Sequence, residues 1–421
     1  MKLQAICCSN MDLNSSRFPG ICMRILVHDY AGHPFQVQLS RELATRGHEV
    51  LHAYCGSTST PRGSLIKRPE DSETFSVQPL DLGEMIPKTG YVRRLRLEKQ
   101  YGVLLVDACN DFRPEVVISG NTPSIPQRRL ARHCRDNRIR NVFWVQDIYG
   151  VAAYKLLKKK LPLVGHLVGK YFMSLDRESA RLSDELVVIT EDFRPFFEQW
   201  GVPSSRIHVV HNWAVLEELP QRPRENDWSK QHGLTDGQRL LYSGTLAMKH
   251  NPRLLLDLAA LLDNVESGEM IVVSEGDSVE WLRRSAQDAG VKSIRFFPFQ
   301  PFDQMANVLG SADALVAVLE PEAGVFSVPS KVLSYMCAGR ALLAAMPLEN
   351  LASRLIASIG AGTVVAPDDS AGLCNAAAKL LQSPETLSAQ GEAARRYAES
   401  HFDIQQIADR FETILSGRRA G

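Results

Sequence analysis

The sequence lacks several features that would assign the protein to a class at once. Its 48 Lys and Arg residues balance its 48 Asp and Glu residues, so no net charge favours nucleic acid as a partner. It contains no apolar run of about 18 residues, the length that would predict a transmembrane helix. The eight cysteines include no CxxC pair, which argues against a zinc site or a disulfide framework. We therefore expect a reduced, cytoplasmic protein with no nucleic-acid partner.

Standard nucleotide and metal motifs are missing too. Neither GxGxxG nor GxxxxGK[ST] is present, so the sequence supports neither a dinucleotide fingerprint nor a P-loop. No His, Asp and Glu cluster has the spacing of metal ligands, and the acidic pair Asp368-Asp369 is remote in sequence from the basic loops described below. We expect no cofactor and no metal.

What is present is a repeated alternation of short apolar strands and amphipathic helices, which predicts two doubly wound parallel sheets. With 421 residues, the chain is too long for a single core. The alternation stops in a polar, Pro- and Gly-containing stretch and then restarts. The predicted organisation is a leader or upstream start (1–22), a first domain (23–215), a linker (216–238), a second domain (239–400) and a C-terminal segment (401–421).

The segment Val328 to Arg340 has the composition of an anion site. An apolar strand, Ala314 to Leu319, leads through an acidic loop to Pro329, which suits the start of a helix, and Gly339 suits its end. Ser330 and Lys331 then fall in the first turn, where free N–H groups attract anions. An ordinary helix start with a solvated lysine is the alternative interpretation.

The second domain opens with a strand followed by a loop that contains Gly244 and Lys249. Gly244 permits close approach of a ligand to the backbone, and Asn251-Pro252 predicts the next helix start. Lys249 and Lys331 both follow strands of one parallel sheet, so we expect them at its carboxyl edge, where two cations suit a diphosphate. A plain connecting loop is the alternative.

In the first domain, the candidates also follow predicted strands. Gly32 and His33 lie in the loop after the first strand, and Gln146 and Asp147 follow the strand Val142 to Val145. His33 is a candidate proton carrier, acceptor-binding group or simple helix-start residue. Asp147 is a candidate ligand-binding group or cap.

A basic stretch from Lys155 to Lys170 carries apolar residues at helical spacing, interrupted by Pro162. Such a surface can contact an anionic membrane, although a solvated face is the alternative.

Five motifs together resemble the retaining glycosyltransferases of family 4, which have the GT-B fold. The resemblance spans Met23 to about Leu415 and is closest to bacterial exopolysaccharide and O-antigen enzymes of the colanic-acid and fucosamine-transferase type. It implies two Rossmann-like domains around a cleft, a nucleotide-sugar donor in the second, a saccharide or polyprenyl-linked acceptor in the first, no metal, and a last helix that returns to the first domain. The motifs are GHPFQVQLSRELATRGHEV (32–50), VQDIYG (145–150), VVHNWA (209–214), SGTLAMKHNP (243–252) and EPEAGVFSVPSKVLSYMCAGR (320–340).

The resemblance implies roles for individual residues. Candidates for catalysis are Asp147, Lys249 and Lys331, and those for acceptor binding are Gly32, His33 and Gln146. Candidates for donor binding are Gly244, Thr245, Glu275, Phe299, Glu320, Glu322, Ser330 and Ser334.

The sequence departs from the family pattern at three positions. Phe326 and Ser334 stand where many members carry glutamates, and Gln146 replaces the catalytic-loop histidine. Glu320 or Glu322 is a candidate for the missing carboxylate. Two other functions remain open at this point: a non-hydrolysing sugar-nucleotide epimerase, and a non-catalytic partner of another transferase.

Overall fold

The computed structural model describes residues 22–58, 64–87, 90–160, 162–234, 237–247, 250–321, 324 and 329–417. Its first half alternates strands and helices around a parallel sheet with the strand order β3-β2-β1-β4-β5-β6-β7. The elements are β1 (Arg24–Asp29), α1 (Pro34–Thr45), β2 (Glu49–Cys55), β3 (Phe75–Leu80), α2 (Tyr91–Phe112), β4 (Val116–Gly120), α3 (Ser124–Asp136), β5 (Arg140–Val145), α4 (Tyr149–Lys160), α5 (Pro162–Leu182), β6 (Glu185–Val188), α6 (Arg194–Gln199) and β7 (Ile207–Val209).

The second half repeats this architecture with the strand order β10-β9-β8-β11-β12-β13, again parallel. The elements are α7 (Asp227–Gln231), β8 (Arg239–Ser243), α8 (Arg253–Leu262), β9 (Glu269–Val273), α9 (Asp277–Asp288), β10 (Ile294–Phe297), α10 (Met305–Gly310), β11 (Ala314–Val318), α11 (Ser330–Ala338), β12 (Ala341–Ala345), α12 (Leu351–Ile359), β13 (Gly362–Val365), α13 (Ser370–Leu381), α14 (Pro384–His401) and α15 (Ile404–Leu415). The predicted fold class is confirmed.

Each sheet has one topological switch point, where the direction of winding reverses. In the first sheet the switch lies between β1 and β4, and in the second it lies between β8 and β11. The strands are parallel, so their carboxyl ends share one edge, and loops on either side of a switch point leave a crevice there. These two crevices are the places where ligand-binding residues are expected.

The C-terminal helix α15 packs against the first half of the molecule. Phe411 of α15 packs on Trp144 of β5, with ring centroids 4.9 Å apart. Arg46, at the end of α1, pairs with Asp409 at 2.6 Å and with Glu412 at 2.8 Å. The last helix of the chain is thus held against elements of the first sheet.

Two details differ from the sequence-based expectation. The strand β3 was not predicted. In the part of the chain that the structure describes, it pairs with β2 alone, at the sheet edge, and its buried and exposed residues do not alternate regularly. The helix α8 begins at Arg253, with Pro252 as its N-cap, whereas we expected Asn251 to cap it. Asn251 instead adopts a left-handed conformation, with φ of 53°.

None of the described helices is both long and apolar enough to cross a bilayer.

Candidate functional site

At the switch point of the second sheet, Lys331 meets the loop that follows β8. The Lys331 Nζ donates to the Tyr242 hydroxyl at 2.5 Å and lies 3.9 Å from the centroid of the Tyr242 ring. The Tyr242 hydroxyl in turn donates to the Thr245 carbonyl at 2.7 Å. A Cβ added at Gly244, where φ is 122°, would lie 3.5 Å from the ammonium. The predicted residues Gly244, Thr245 and Lys331 are therefore adjacent, and the ammonium faces the backbone of the loop.

A second tyrosine fixes this loop to the helix. The Tyr335 hydroxyl accepts from the Ser243 N–H at 2.9 Å and lies 3.1 Å from the Ser243 carbonyl, to which it donates. Tyr335 lies four residues after Lys331 on α11, and both side chains reach the end of β8. These two hydrogen bonds fix the position of α11 relative to the Gly244 loop.

Within the described ranges, the Lys331 ammonium has no anionic partner. Among the described residues, no carboxylate lies within ion-pair distance of it. The side chain is only partly exposed, and desolvation lowers its pKa from 10.5 to about 7. An anionic ligand beside the ammonium would offset this desolvation. The arrangement therefore suits an anion, and a freely solvated lysine is not what the structure shows.

The switch point of the first sheet is built on Asp29, the last residue of β1. Its buried carboxylate accepts from the Ala31 N–H at 3.0 Å and from the His33 N–H, and it lies 3.3 Å from the His33 Nδ1. His33 is the N-cap residue of α1, but its ring contacts Asp29 and does not cap the helix. Gly32, with φ of 79°, provides the left-handed turn that brings His33 back toward the strand end.

The charges at this first switch point are paired within the chain. Burial alone would raise the pKa of Asp29, but the adjacent His33 ring and N–H lower it below its usual value. Burial likewise opposes protonation of His33, yet Asp29 and, more weakly, Asp147 raise its pKa. The charge of Asp147 thus acts on His33, which couples two predicted residues from different loops electrostatically.

The buried side chain of Gln146 forms a hydrogen bond with Asn212, which lies near the end of the first half of the chain. The Asn212 amide donates to the Gln146 Oε1 at 2.5 Å. The Gln146 Nε2 and the Asn212 Oδ1 are both buried, and neither has a hydrogen-bond partner in the described part of the chain. The Gln146 amide thus retains its donor group and the Asn212 amide its acceptor oxygen, a combination that suits a ligand hydroxyl.

Asn212 also lines a cavity of about 70 Å³ between the two halves of the molecule. The first half contributes Ile189, His211 and Asn212, and the second contributes residues of α11, α12 and α14. Near this cavity, Arg354 of α12 pairs with Asp192 of the first half at 2.5 Å. The cleft between the two sheets therefore contains the Gln146–Asn212 pair on one wall and the helix of Lys331 on the other.

The remaining predicted residues are less closely grouped. Glu275, after β9, accepts from the Phe299 N–H at 2.9 Å, so these two donor-binding candidates contact each other. Both are exposed at the carboxyl edge of the second sheet. Ser330 is exposed at the start of α11, Ser334 lies one turn later, and Glu320 is partly buried just after β11. Lys249 and Glu322 lie outside the described residues, so their predicted roles stay predictions.

Sequence reasoning missed three residues of these sites: Tyr242, Asp29 and Asn212. Each is at, or within three residues of, the end of a parallel strand, which is the signal that could have indicated them. Tyr242 was interpreted only as a strand residue, because its ring and hydroxyl fit a buried strand equally well.

Comparison with known proteins agrees with the two-domain fold. Residues 33–213 match the family model of the glycosyl transferase 4-like domain, and residues 237–383 match that of the glycosyl transferases group 1. The chain is 23% identical to the colanic acid biosynthesis glycosyl transferase WcaI of Escherichia coli (strain K12) over 285 residues, which cover 66% of this chain and 68% of WcaI.

Among solved structures, sucrose-phosphate synthase from Thermosynechococcus elongatus superposes with a TM-score of 0.71 at 14% identity and covers 94% of this chain and 98% of its own. Anabaena HepE in complex with UDP-glucose superposes with a TM-score of 0.68 at 15% identity, over 94% of this chain and all of its own (100%). At these identities the two structures support the fold alone.

Proposed function

The chain belongs to the family 4 glycosyltransferases of the GT-B fold, and from this premise we propose which sugar transfer it performs. It moves a sugar, with retention of anomeric configuration, from a nucleotide-sugar donor to a polyprenyl-linked saccharide during cell-surface polysaccharide assembly. WcaI, a relative named for colanic acid biosynthesis, supports this class of pathway. Both family models describe transferases, so the epimerase alternative has no support from them.

The observation that carries the proposal is the Lys331 ammonium at the second switch point, which has no carboxylate partner among the residues that the structure describes. We assign the donor diphosphate to the space beside Lys331 and Gly244, next to the first turn of α11. There the ammonium, the helix N–H groups and the glycine backbone can all approach phosphate oxygens. As the bond to the sugar breaks, negative charge grows on the leaving diphosphate, and a fixed cation stabilises that charge.

We assign the acceptor to the first switch point. The charge of Asp147 raises the pKa of His33 there, and the Gln146–Asn212 pair has a donor and an acceptor without a described partner for a sugar hydroxyl. In a front-face mechanism, the leaving phosphate takes the proton of the attacking hydroxyl, so the protein needs mainly to orient the acceptor and to stabilise the diphosphate. Asp147 then orients the acceptor or balances charge beside the reacting carbon. No metal is required by this scheme.

The decisive experiment measures release of nucleoside diphosphate from nucleotide sugars by the purified protein. A thermal-shift screen with UDP, GDP, dTDP and CMP selects the nucleotide first, because a bound ligand raises the melting temperature by mass action. UDP is the first choice, since HepE was crystallised with it.

The matched variants for this assay are Lys331→Ala and Lys379→Ala, the latter removing an exposed lysine of α13. We expect the nucleotide-induced shift to fall in Lys331→Ala and to persist in Lys379→Ala. Equal shifts in both would refute the assignment of the diphosphate to Lys331.

A further inference from the structure

An exposed apolar row lies on the helix α5. Most large apolar residues of the described chain are buried, and ten are exposed. Four of these ten share one face of α5 at the spacing i, i+3, i+4 and i+7, whereas the other six belong to other parts of the chain. The four are Val164 (60% exposed), Leu167 (70%), Val168 (37%) and Tyr171 (50%). Contiguous exposed apolar side chains of this kind indicate a binding surface.

The packing of α5 on α4 explains why this row faces outward. The two helices form an antiparallel hairpin, and a Cβ added at Gly165 would collide with the Leu157 carbonyl, while one at Gly169 would collide with Tyr154. These glycines therefore fix which side of α5 touches α4. The apolar row lies on a different side of α5 from these two glycines. Its side chains therefore have no packing partner within the described chain. Leu175, about one turn beyond Tyr171, is instead buried.

The charge of the hairpin differs from that of the whole chain. From Ile148 to Leu175 the sequence contains five lysines and neither Asp nor Glu, although the complete chain has zero net charge. Lys158 and Lys170 are exposed on the two helices of the hairpin. An apolar row flanked by lysines is the composition that inserts at the surface of an anionic bilayer: the apolar side chains enter the acyl region, and the lysines meet phosphate groups.

The hairpin is also well placed relative to the acceptor site. Its C-terminal half is anchored to the body of the domain, since Arg128 of α3 pairs with Glu178 at 2.8 Å. The two helices are joined to each other at the base, where the Asp176 carboxylate accepts from the Gly150 N–H of α4 at 2.6 Å. The base of the hairpin begins at Tyr149, two residues after Asp147. The exposed row belongs to the opposite half of α5, nearer the tip.

We propose that the row Val164, Leu167, Val168 and Tyr171, with Lys158 and Lys170 beside it, docks the enzyme on an anionic phospholipid surface. The row inserts into the bilayer, and the base of the hairpin holds the acceptor loop near the membrane. A polyprenyl-linked acceptor anchored in the same bilayer then presents its sugar to Asp147 and His33. This partner assignment rests on the acceptor class proposed above, but the contact with lipid can be measured without any acceptor.

Co-sedimentation with phosphatidylcholine vesicles, with and without phosphatidylglycerol, tests the proposal. The full-length protein should bind the anionic vesicles much more tightly than the neutral ones. Leu167→Ser should weaken that binding roughly tenfold, the lower end of what burial of a leucine contributes. Ile66→Ser, at an equally exposed apolar residue (69%) outside the hairpin, is the matched control and should bind normally.

The lysines are tested in the same assay. Lys158→Ala and Lys170→Ala should each weaken binding to anionic vesicles about fivefold, as expected for one lysine at a charged membrane surface, whereas Lys379→Ala should not. Leu167→Trp adds a direct probe, since its fluorescence should shift to the blue when anionic vesicles are added. Circular dichroism checks that every variant is folded.

Two results would overturn the docking surface. One is binding of the wild type that does not depend on phosphatidylglycerol or on Leu167. The other is a change in oligomeric state by light scattering in Leu167→Ser without any vesicle binding by the wild type, which would make the row an interface between copies of the chain. Nucleotide binding is measured separately, so its loss would contradict the proposed function and leave the membrane contact standing.

Discussion

The two switch points differ in whether their charged side chain is paired with an opposite charge. At the first, the carboxylate of Asp29 is buried and paired with His33, so its charge is neutralised inside the chain. At the second, the ammonium of Lys331 is desolvated against a tyrosine, and no described carboxylate pairs with it. A paired charge should influence stability and geometry, whereas an unpaired one should influence ligand binding. Under the proposed function, this contrast separates a preformed acceptor side from a donor side that its ligand completes.

The largest expected effect comes from removing the unpaired cation. Lys331→Ala should lower kcat/KM about 100-fold or more, corresponding to roughly 3 kcal/mol, because the ammonium acts on charge that develops in the transition state. Lys331→Arg should restore only part of this, since a planar guanidinium does not occupy the place of an ammonium. Steady-state kinetics with the selected nucleotide sugar measures both variants against Lys379→Ala.

Lys249→Ala should behave like Lys331→Ala if both lysines contact one diphosphate, and the double variant should then lose less than the sum of the two. Normal turnover of Lys331→Ala would contradict the contrast between the switch points, because Lys331 would then have no role in catalysis.

The next effect concerns stability at the first switch point. Asp29→Asn should destabilise the fold by about 2 kcal/mol, the typical contribution of a hydrogen bond to a charged group. The lowered pKa of Asp29 makes its contribution present above pH 3.8 and lost on acidification. The raised pKa of His33 makes its contribution present below pH 6.5 and lost as the pH rises through the folded value.

The difference between wild type and Asp29→Asn should therefore be greatest between these two pH values and shrink in alkali. Urea denaturation at pH 5 and at pH 9 measures it, with the exposed Asp288→Asn as the control. Equal stability of Asp29→Asn and wild type at pH 5 would mean that the pair with His33 contributes nothing to the fold.

A smaller effect is expected on the pH dependence of nucleoside diphosphate binding, which also tests the contrast between the switch points. In the free protein the pKa of Lys331 is lowered to about 7, and a bound diphosphate should raise it again. Nucleoside diphosphate affinity should then be full below pH 7 and fall above it, by up to about tenfold per pH unit. Calorimetry in buffers of different ionisation enthalpy should detect proton uptake on binding above pH 7.

Tyr242→Phe keeps the ring but removes the hydroxyl that accepts from the ammonium. It should lower the pKa of Lys331 further and move the fall in affinity to lower pH. An unchanged pH profile in Tyr242→Phe would show that the hydroxyl has no part in setting the charge of Lys331.

Most of the fold could be predicted from sequence, for a physical reason. Strands buried on both faces of a sheet read as short apolar runs, and Val142 to Val145 and Leu315 to Val318 were recognised in this way. The strand β3 was missed because an edge strand has fewer constraints on its pattern. Its sequence, FSVQPL, even includes a proline, which an edge strand tolerates.

The candidate sites were predictable where a residue type suggests chemistry by itself. Lys331 and the loop of Gly244 follow strand ends and were predicted at the same edge of the sheet, and a Cβ added at Gly244 would lie 3.5 Å from the ammonium. Tyr242 and Asn212 act through contacts with residues far away in sequence, 89 and 66 positions from their partners. Such contacts depend on packing between distant elements, which local sequence patterns do not encode.

The last prediction concerns removal of metal ions, for which we expect no effect on turnover. It tests which group supplies the positive charge beside the proposed donor diphosphate. No group of three or more His, Cys, Asp or Glu side chains in the described ranges is arranged to hold a metal ion. If Lys331 and the N–H groups of α11 stabilise the leaving diphosphate, turnover should be unchanged in excess chelator.

Dialysis against EDTA, followed by kinetics before and after addition of Mg²⁺ or Mn²⁺, measures this directly. Activity lost to the chelator and restored by either ion would show that an ion supplies the charge. The partnerless lysine would then no longer distinguish the donor side from the acceptor side, since a metal bound with the donor would serve the diphosphate in its place.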